Sequence, residues 1–375
     1  MAYAIAKLVS FIVLRLTQPK RVAQPIYERR IEIIMHPELF RIPFTELTVK
    51  SYGVMMVIGF IAAIFVIRRL SRDIGQENTE HITTAALYSL IAGIAGARIF
   101  YVVHYWQQFS GKGLLEFFAV WKGGLELLGG VFFSIIVIAF YLWKQKLPVR
   151  RYLDILAIGL MLALFFGRLG CLLNGCCYGR PTCAFVSIRF PYGSLSYQGQ
   201  VRPDKARNRQ EPYIGLPTEF FGYINEANEW VVAPESDKYD YYLKPFDRLT
   251  EQEKSQVTVG EYRPLEVCPT QVYESLSALA GCILLYLHRK NGIEQQKKRK
   301  TTSAFFRLGV TFALMFIVYG FIRFFIEFLR DDNPYQANGL TVSQNLSIAM
   351  VIVGLLLTWL FAKMKPDKLS VEDLS

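Results

Sequence analysis

Charge is what this chain has little of. Only 19% of its 375 residues are Asp, Glu, Lys or Arg, against about 25% in an ordinary soluble domain, while 52% are hydrophobic. That shortage argues for a protein that lies in a membrane. Cysteine is sparse as well, and six residues are too few for a disulfide scaffold at this length. No RNP, zinc-finger or helix-turn-helix pattern occurs, so the net charge of +11 does not point to nucleic acid. The basic residues sit in short clusters beside apolar runs, where they suit anionic lipid and loop orientation.

The apolar runs set the expected fold class, an all-α polytopic membrane protein with seven transmembrane helices. The first run, Ser51 to Ile67, is uncharged and bracketed by Lys50 and Arg68. The second goes from Ile82 past Arg98 to His104, the third from Leu127 to Trp143, and the fourth begins at Ile155 and carries Arg168. The fifth is Pro269 to Leu287, the sixth Leu308 to Leu329 and the seventh Leu346 to Ala362. Such runs match a hydrocarbon core of about 30 Å. Residues 1–34 read as an N-terminal extension, an interfacial helix, because AYAIAKLVSFIVL is short and contains Lys7. Residues 35–362 form the membrane domain. Within it, residues 180–267 are a polar insert between spans four and five with no helical period, which predicts short strands and loops. Residues 363–375 form a tail.

Lys and Arg cluster after spans one, three and five: Arg68, Arg69 and Arg72; Lys144, Lys146, Arg150 and Arg151; and the run from Arg289 to Arg307. This bias places those loops in the cytoplasm, the start of span one and the insert outside, and the C-terminus inside. Basic residues before Ser51 oppose that orientation, and an extra N-terminal span would reconcile them.

In this frame Arg98, Arg168, Arg323 and Glu327 fall in the outer halves of outward-running spans, and Glu274 near the outer start of span five. An arginine at the bilayer centre costs roughly 2.5–3.5 kcal/mol. Snorkelling or an i, i+4 pair between Arg323 and Glu327 explains one such residue. Five at one depth predict a site, and three arginines against two glutamates leave a surplus suited to a phospholipid head group. Arg168 offers a planar fork that matches phosphate. Gly167, Cys171 and Gly175 make a small-residue stripe for helix packing. Gly123-Gly124 and Gly129-Gly130 are either a tight helix entry or backbone amides free to meet an anion.

Ordered motifs then carry a resemblance. Ser51-Tyr52-Gly53, Gly96-Ala97-Arg98-Ile99, WKGGLELLGG from Trp121 to Gly130, Gly167-Arg168-Leu169-Gly170 with Asn174-Gly175 and Gly179-Arg180, PTQVYE from Pro269 to Glu274, and Tyr319-Gly320 with Arg323, Glu327 and Arg330 resemble the bacterial prolipoprotein diacylglyceryl transferases. The resemblance implies transfer of the diacylglyceryl group of phosphatidylglycerol to the lipobox cysteine thiol of a prolipoprotein signal peptide, in the bacterial cytoplasmic (inner) membrane. A thioether forms, glycerol phosphate leaves, and no cofactor is needed. Arg168 and Arg323 would clamp the phosphate, with Glu327 orienting Arg323. Tyr52, Arg98, Gly129, Gly130, Asn174, Gly179, Tyr273, Glu274 and Arg330 would shape the substrate pocket.

The chain departs from that pattern at four positions. Leu128 stands where the family usually has a histidine, Cys171 where it has asparagine, Cys176 where it has glutamate, and Cys268 where a histidine precedes the proline. A leucine cannot carry a proton, so the alternative reading is a catalytically altered or inactive lipid- or lipoprotein-binding relative. The cysteines predict a disulfide between Cys268 and one of Cys171, Cys176, Cys177 and Cys183. A reactive thiol and simple packing are the other readings. The C-x4-C-C-x5-C pattern lacks the C-x2-C spacing of zinc clusters, so no metal is expected.

Overall fold

The computed structural model describes residues 31–32, 37–41, 48–72, 76–109, 113–119, 124, 126–147, 149–181, 186–299, 303–336 and 338–364. Most of the expected interfacial helix, Cys183 and the tail beyond Met364 lie outside them.

Seven long helices organise the described residues: α1 (Ser51–Ser71), α2 (Gln76–His104), α3 (Leu127–Lys144), α4 (Val149–Asn174), α5 (Thr270–Arg299), α6 (Val310–Ile326) and α7 (Val342–Lys363). Five stretches are long and apolar enough to cross a membrane: Ser51–Ser71, Glu80–His104, Val149–Asn174, Val310–Leu329 and Val342–Lys363. The expected third and fifth spans fall on α3 and α5, which do not meet that measure. The described apolar part of α3 is short, Phe132–Lys144. Helix α5 carries Gln271 and Glu274 in its first turns and a basic run at its end. Apolar side chains cover the outward faces of the bundle, among them Phe65, Ile91, Trp143 and Leu356. Apolar surface on that scale needs a lipid or protein partner.

Helix α4 is central and packs against α1, α5 and α6, while α2 pairs with α3 and α6 with α7. Glycines set the closest approaches. A Cβ on Gly129 would lie 2.5 Å from the Gly96 carbonyl oxygen, and one on Gly130 would lie 2.9 Å from that of Gly93. These residues therefore seat α3 on α2, and the packing alternative explains them; a ligand-facing role for Gly129 and Gly130 finds no support in this geometry. On α4, Gly159 receives Ile67 and Gly170 receives Tyr52 and Met55 of α1. The tight stripe thus differs from the expected Gly167–Cys171–Gly175 row, because Gly175 lies past the helix in a left-handed turn with φ of 70°.

Two polar anchors fix one end of the bundle. Asp154 on α4 accepts from the amides of Gly309 (2.8 Å) and Phe312 (2.9 Å), which serves the otherwise unpaired N–H groups that open α6. His288 on α5 is 3.0 Å from both the Thr311 hydroxyl and the Phe305 carbonyl oxygen.

Residues 186–267 form a small layer at the opposite end. Its strands Phe221–Ile224, Trp230–Val232 and Tyr242–Leu243 make an antiparallel sheet with the first of them central. They close over buried Tyr197, Leu216, Phe220, Phe221 and Val257. Strands and loops were expected here; the structure adds short helices at Leu195–Gln200 and Glu251–Thr258, the second opened by a capping box between Thr250 and Glu253, and the insert has a core of its own.

Candidate active site

The site lies where the last turn of α4, the first turns of α5 and the end of α6 meet. Glu274 is its centre. Arg168 Nη1 lies 2.7 Å from Glu274 Oε2, Arg323 Nη1 contacts Oε1, and Arg330 Nη1 is 3.5 Å from the same oxygen. Glu327 faces Arg323 Nη2 at 2.8 Å and also accepts from Asn333 (2.6 Å) and the Thr341 hydroxyl (2.8 Å). Arg330 is forked onto Asp332, with Nε and Nη2 at 2.8 and 2.6 Å from its two oxygens. Burial opposes the charge on Arg330, but these bonds and the nearby acids hold its pKa above the ordinary value.

The three arginines are not equivalent. The side chains of Arg323 and Arg330 are 9% and 4% exposed, and both are committed to carboxylates. Arg168 is the most open at 15%. Its contact with Glu274 is an ion pair out of hydrogen-bond line, since Glu274 Oε2 has no hydrogen-bond partner among the described residues. It also donates a long hydrogen bond, from Nη1 to Cys177 Sγ at 3.7 Å. Arg168, Glu274 and Arg323 border a small cavity of about 10 Å³, space for about one water, whose other walls include Met161, Leu164, Ala278, Tyr319, Ile322 and Ile326. The most exposed guanidinium of the cluster thus lies beside apolar walls, with its Nη1 turned to Glu274 and Cys177.

Arg98 is elsewhere in the design. It donates to the carbonyl oxygens of Phe117 (2.9 Å), Gly124 (3.0 Å) and Glu116 (2.7 Å), and its guanidinium lies near the rings of Tyr101 and Phe109. It orders the segment between α2 and α3, and Arg330 takes the third place in the cluster instead. Gly179 is a close approach: an added Cβ would lie 2.5 Å from the Cys268 carbonyl oxygen. Tyr52 packs its ring beside Gly170. Asn174 is the final residue of α4, and Tyr273 sits half-buried next to Glu274 on α5.

The segment after α4 is stitched to its neighbours through the backbone. Gln271 Nε2 and Thr270 Oγ1 donate to the Cys176 and Cys177 carbonyl oxygens, both at 2.7 Å. The amide of Arg180 donates to Leu329 at 2.8 Å, and that of Cys268 to Arg180 at 3.0 Å. The sulfurs of Cys171, Cys176 and Cys177 gather within 4.8 Å of one another. The Cys177 thiol is held well below its ordinary pKa because Cys171 and Cys176 donate to it and Arg330 and Arg168 lie close. The described cysteines are all free thiols, so the expected bridge from Cys268 is not formed here.

Some participants carry little sequence signal. The insert grips the loop that bears Arg330: Arg207 Nη2 donates to the Arg330 carbonyl oxygen at 2.7 Å, and Arg209 Nη1 to Asp331 at 2.8 Å. His104 Nδ1 lies 3.1 Å from Glu126 at the end of α2. His104 and Glu126 border apolar runs, which could have flagged them, whereas Arg207 and Arg209 lie within the polar insert and carry no such signal.

Helices long enough to cross a membrane, with a buried ionic cluster at one end of them, define a polytopic membrane protein. The family model for prolipoprotein diacylglyceryl transferase matches residues 37–360, and the chain belongs to that family. Among its relatives is a phosphatidylglycerol–prolipoprotein diacylglyceryl transferase of Burkholderia ambifaria, 28% identical over 338 residues that cover 87% of this chain and 96% of the relative. A second such transferase, from Clostridium perfringens, is 27% identical over 312 residues, covering 83% and 90%. That of Rhodopirellula baltica is 26% identical over 359 residues, covering 83% and 72%.

Proposed function

We propose that this chain transfers the diacylglyceryl group of phosphatidylglycerol to the lipobox cysteine of prolipoproteins, in the bacterial cytoplasmic membrane. The observation that carries the reading is the buried cluster of Arg168, Arg323 and Arg330 around Glu274, in which Arg168 is the most exposed of the three cations. The thiol gives up its proton to solvent water, its sulfur attacks the glyceryl carbon, and the carbon–oxygen electron pair leaves on glycerol phosphate. Charge grows on the phosphate as that bond breaks, and a fixed guanidinium beside it favours the transition state over the ground state. Arg168 makes that contact. Arg323, Arg330 and Glu327 are positioning residues, because their charges are already satisfied by partners within the protein.

Seven spans complete the proposal. Helix α3 lies along α2 and α5 lies against α4 and α6, so both sit beside stretches long enough to cross. The basic clusters then put the C-terminus in the cytoplasm and the site and insert outside, where secreted precursors arrive.

Cells depleted of their own diacylglyceryl transferase and supplied with this chain supply the test. Lipid-modified precursor, detected by mass spectrometry, is the expected result. Correct insertion without modified precursor would overturn it in favour of a lipid- or lipoprotein-binding relative, the reading that Leu128 motivates.

A further inference from the structure

Three thiols in one place are not needed to clamp a phosphate. Cys171 is buried at the end of α4, while Cys176 and Cys177 are partly open. Left-handed turns at Gly175 (φ 70°) and Cys177 (φ 61°) curl the chain back so that all three sulfurs lie within 4.8 Å of one another. Gln271 and Thr270 hold the two outer cysteines by their carbonyl groups, which leaves the sulfurs aimed inward. In a tetrahedral zinc site the metal–sulfur distance is about 2.3 Å, so ligand sulfurs lie roughly 3.8 Å apart. Closing the cluster to that spacing takes movements of about 1 Å or less, within the reach of a χ1 adjustment.

We propose that Cys171, Cys176 and Cys177 form a three-thiolate site for Zn²⁺ whose fourth position takes the thiol of the acceptor peptide. The identity of that fourth ligand rests on the transferase reading above. Three protein ligands and one open position are the arrangement of catalytic zinc, and closed four-ligand sites are structural. Three thiolates on one Zn²⁺ carry a net negative charge, and Arg168, 3.7 Å from Cys177, offsets it. The site also answers a chemical need, since Leu128 cannot act as a base. A thiol that coordinates zinc gives up its proton, here to solvent water, and stays nucleophilic as the bound thiolate. That sulfur forms the bond to the glyceryl carbon, the carbon–oxygen electron pair departs on glycerol phosphate beside Arg168, and the neutral thioether leaves the metal as a weak ligand. No electron is gained or lost by an outside partner.

The full chain, purified in detergent under reducing conditions and stripped with a chelator, is titrated with Zn²⁺ and separately with Co²⁺. The expected result is one Zn²⁺ per chain and thiolate-to-cobalt charge-transfer absorption. Both should fall to background in Cys171→Ser, Cys176→Ser and Cys177→Ser and persist in Cys282→Ser. Protection of three thiols from maleimide by Zn²⁺ in the unmutated chain gives the same answer if a variant fails to fold. A lipobox peptide should raise the charge-transfer absorption in the ratio of four sulfurs to three, and its Cys→Ser version should not. Zinc no higher than in the serine variants, a bridge among the three cysteines in protein taken from membranes, or a peptide that leaves the cobalt spectrum unchanged would overturn the proposal. The first two results leave the transferase reading standing. Full zinc and peptide binding with no transfer would count against that reading and leave the site in place.

Discussion

At the residue scale, the central fact is that one glutamate holds three arginines, of which Arg168 is the most exposed. Glu274 is 5% exposed, and removing one partner of a buried ion pair strands the others at a cost of about 3–5 kcal/mol. Glu274→Gln is therefore expected to lower the unfolding temperature in detergent markedly and to abolish transfer; an unchanged melting curve would contradict its place at the centre. Arg168→Lys keeps the charge but loses the fork. Its transfer rate is expected to fall roughly 100-fold with little change in stability, in line with the loss of one transition-state donor. Arg168, Arg323, Glu274 and Glu327 were legible in the sequence because a charge inside an apolar run must be used or paired. Arg98 shares that signal and serves another purpose, since three carbonyl groups of a neighbouring segment satisfy it. Hydropathy registers the cost of burying a charge and says nothing of which partner meets it.

At the scale of the elements, helix ends and crossings decide the geometry. Asp154 serves two amide groups that open α6, and α6 carries Arg323 at its far end. Asp154→Ala leaves those amides unpaired and is expected to cost about 2–3 kcal/mol, read as a lower thermal midpoint, with near-normal transfer per folded molecule. Gly129→Val would drive a side chain into the Gly96 carbonyl and Phe100, and overpacking of this kind typically costs about 1–3 kcal/mol. The expected readout is a lower yield of folded protein from membranes. The glycine pairs stood out in the sequence, but packing glycines and ligand-facing glycines look alike there. What separates them is the backbone of the opposing helix, and that is a tertiary fact. The cysteine turn was hidden for a related reason: the C-x4-C-C spacing lacks the zinc pattern, while two residues at positive φ bring the sulfurs together anyway.

At the scale of the whole molecule, the insert and the bundle meet through the loop that carries Arg330. Arg207 and Arg209 hold Arg330 and Asp331, so the outer layer helps set the position of a group that braces Glu274. Arg209→Ala is expected to reduce transfer several-fold and to open residues 186–267 to protease while the helices stay protected; intact protection would contradict the coupling. The long apolar runs made the bundle legible from the sequence, and the turn-rich composition marked the insert. The grip between them was not legible, because it joins residues more than a hundred positions apart, through the Arg330 backbone carbonyl and the Asp331 carboxylate. The most direct measurement places the purified chain in phosphatidylglycerol nanodiscs with a lipobox peptide and counts thioether-modified peptide by mass spectrometry. The unmutated chain is expected to convert the peptide with one glycerol phosphate released per product, and Arg168→Ala to convert none. Conversion by Arg168→Ala at the unmutated rate would contradict the account.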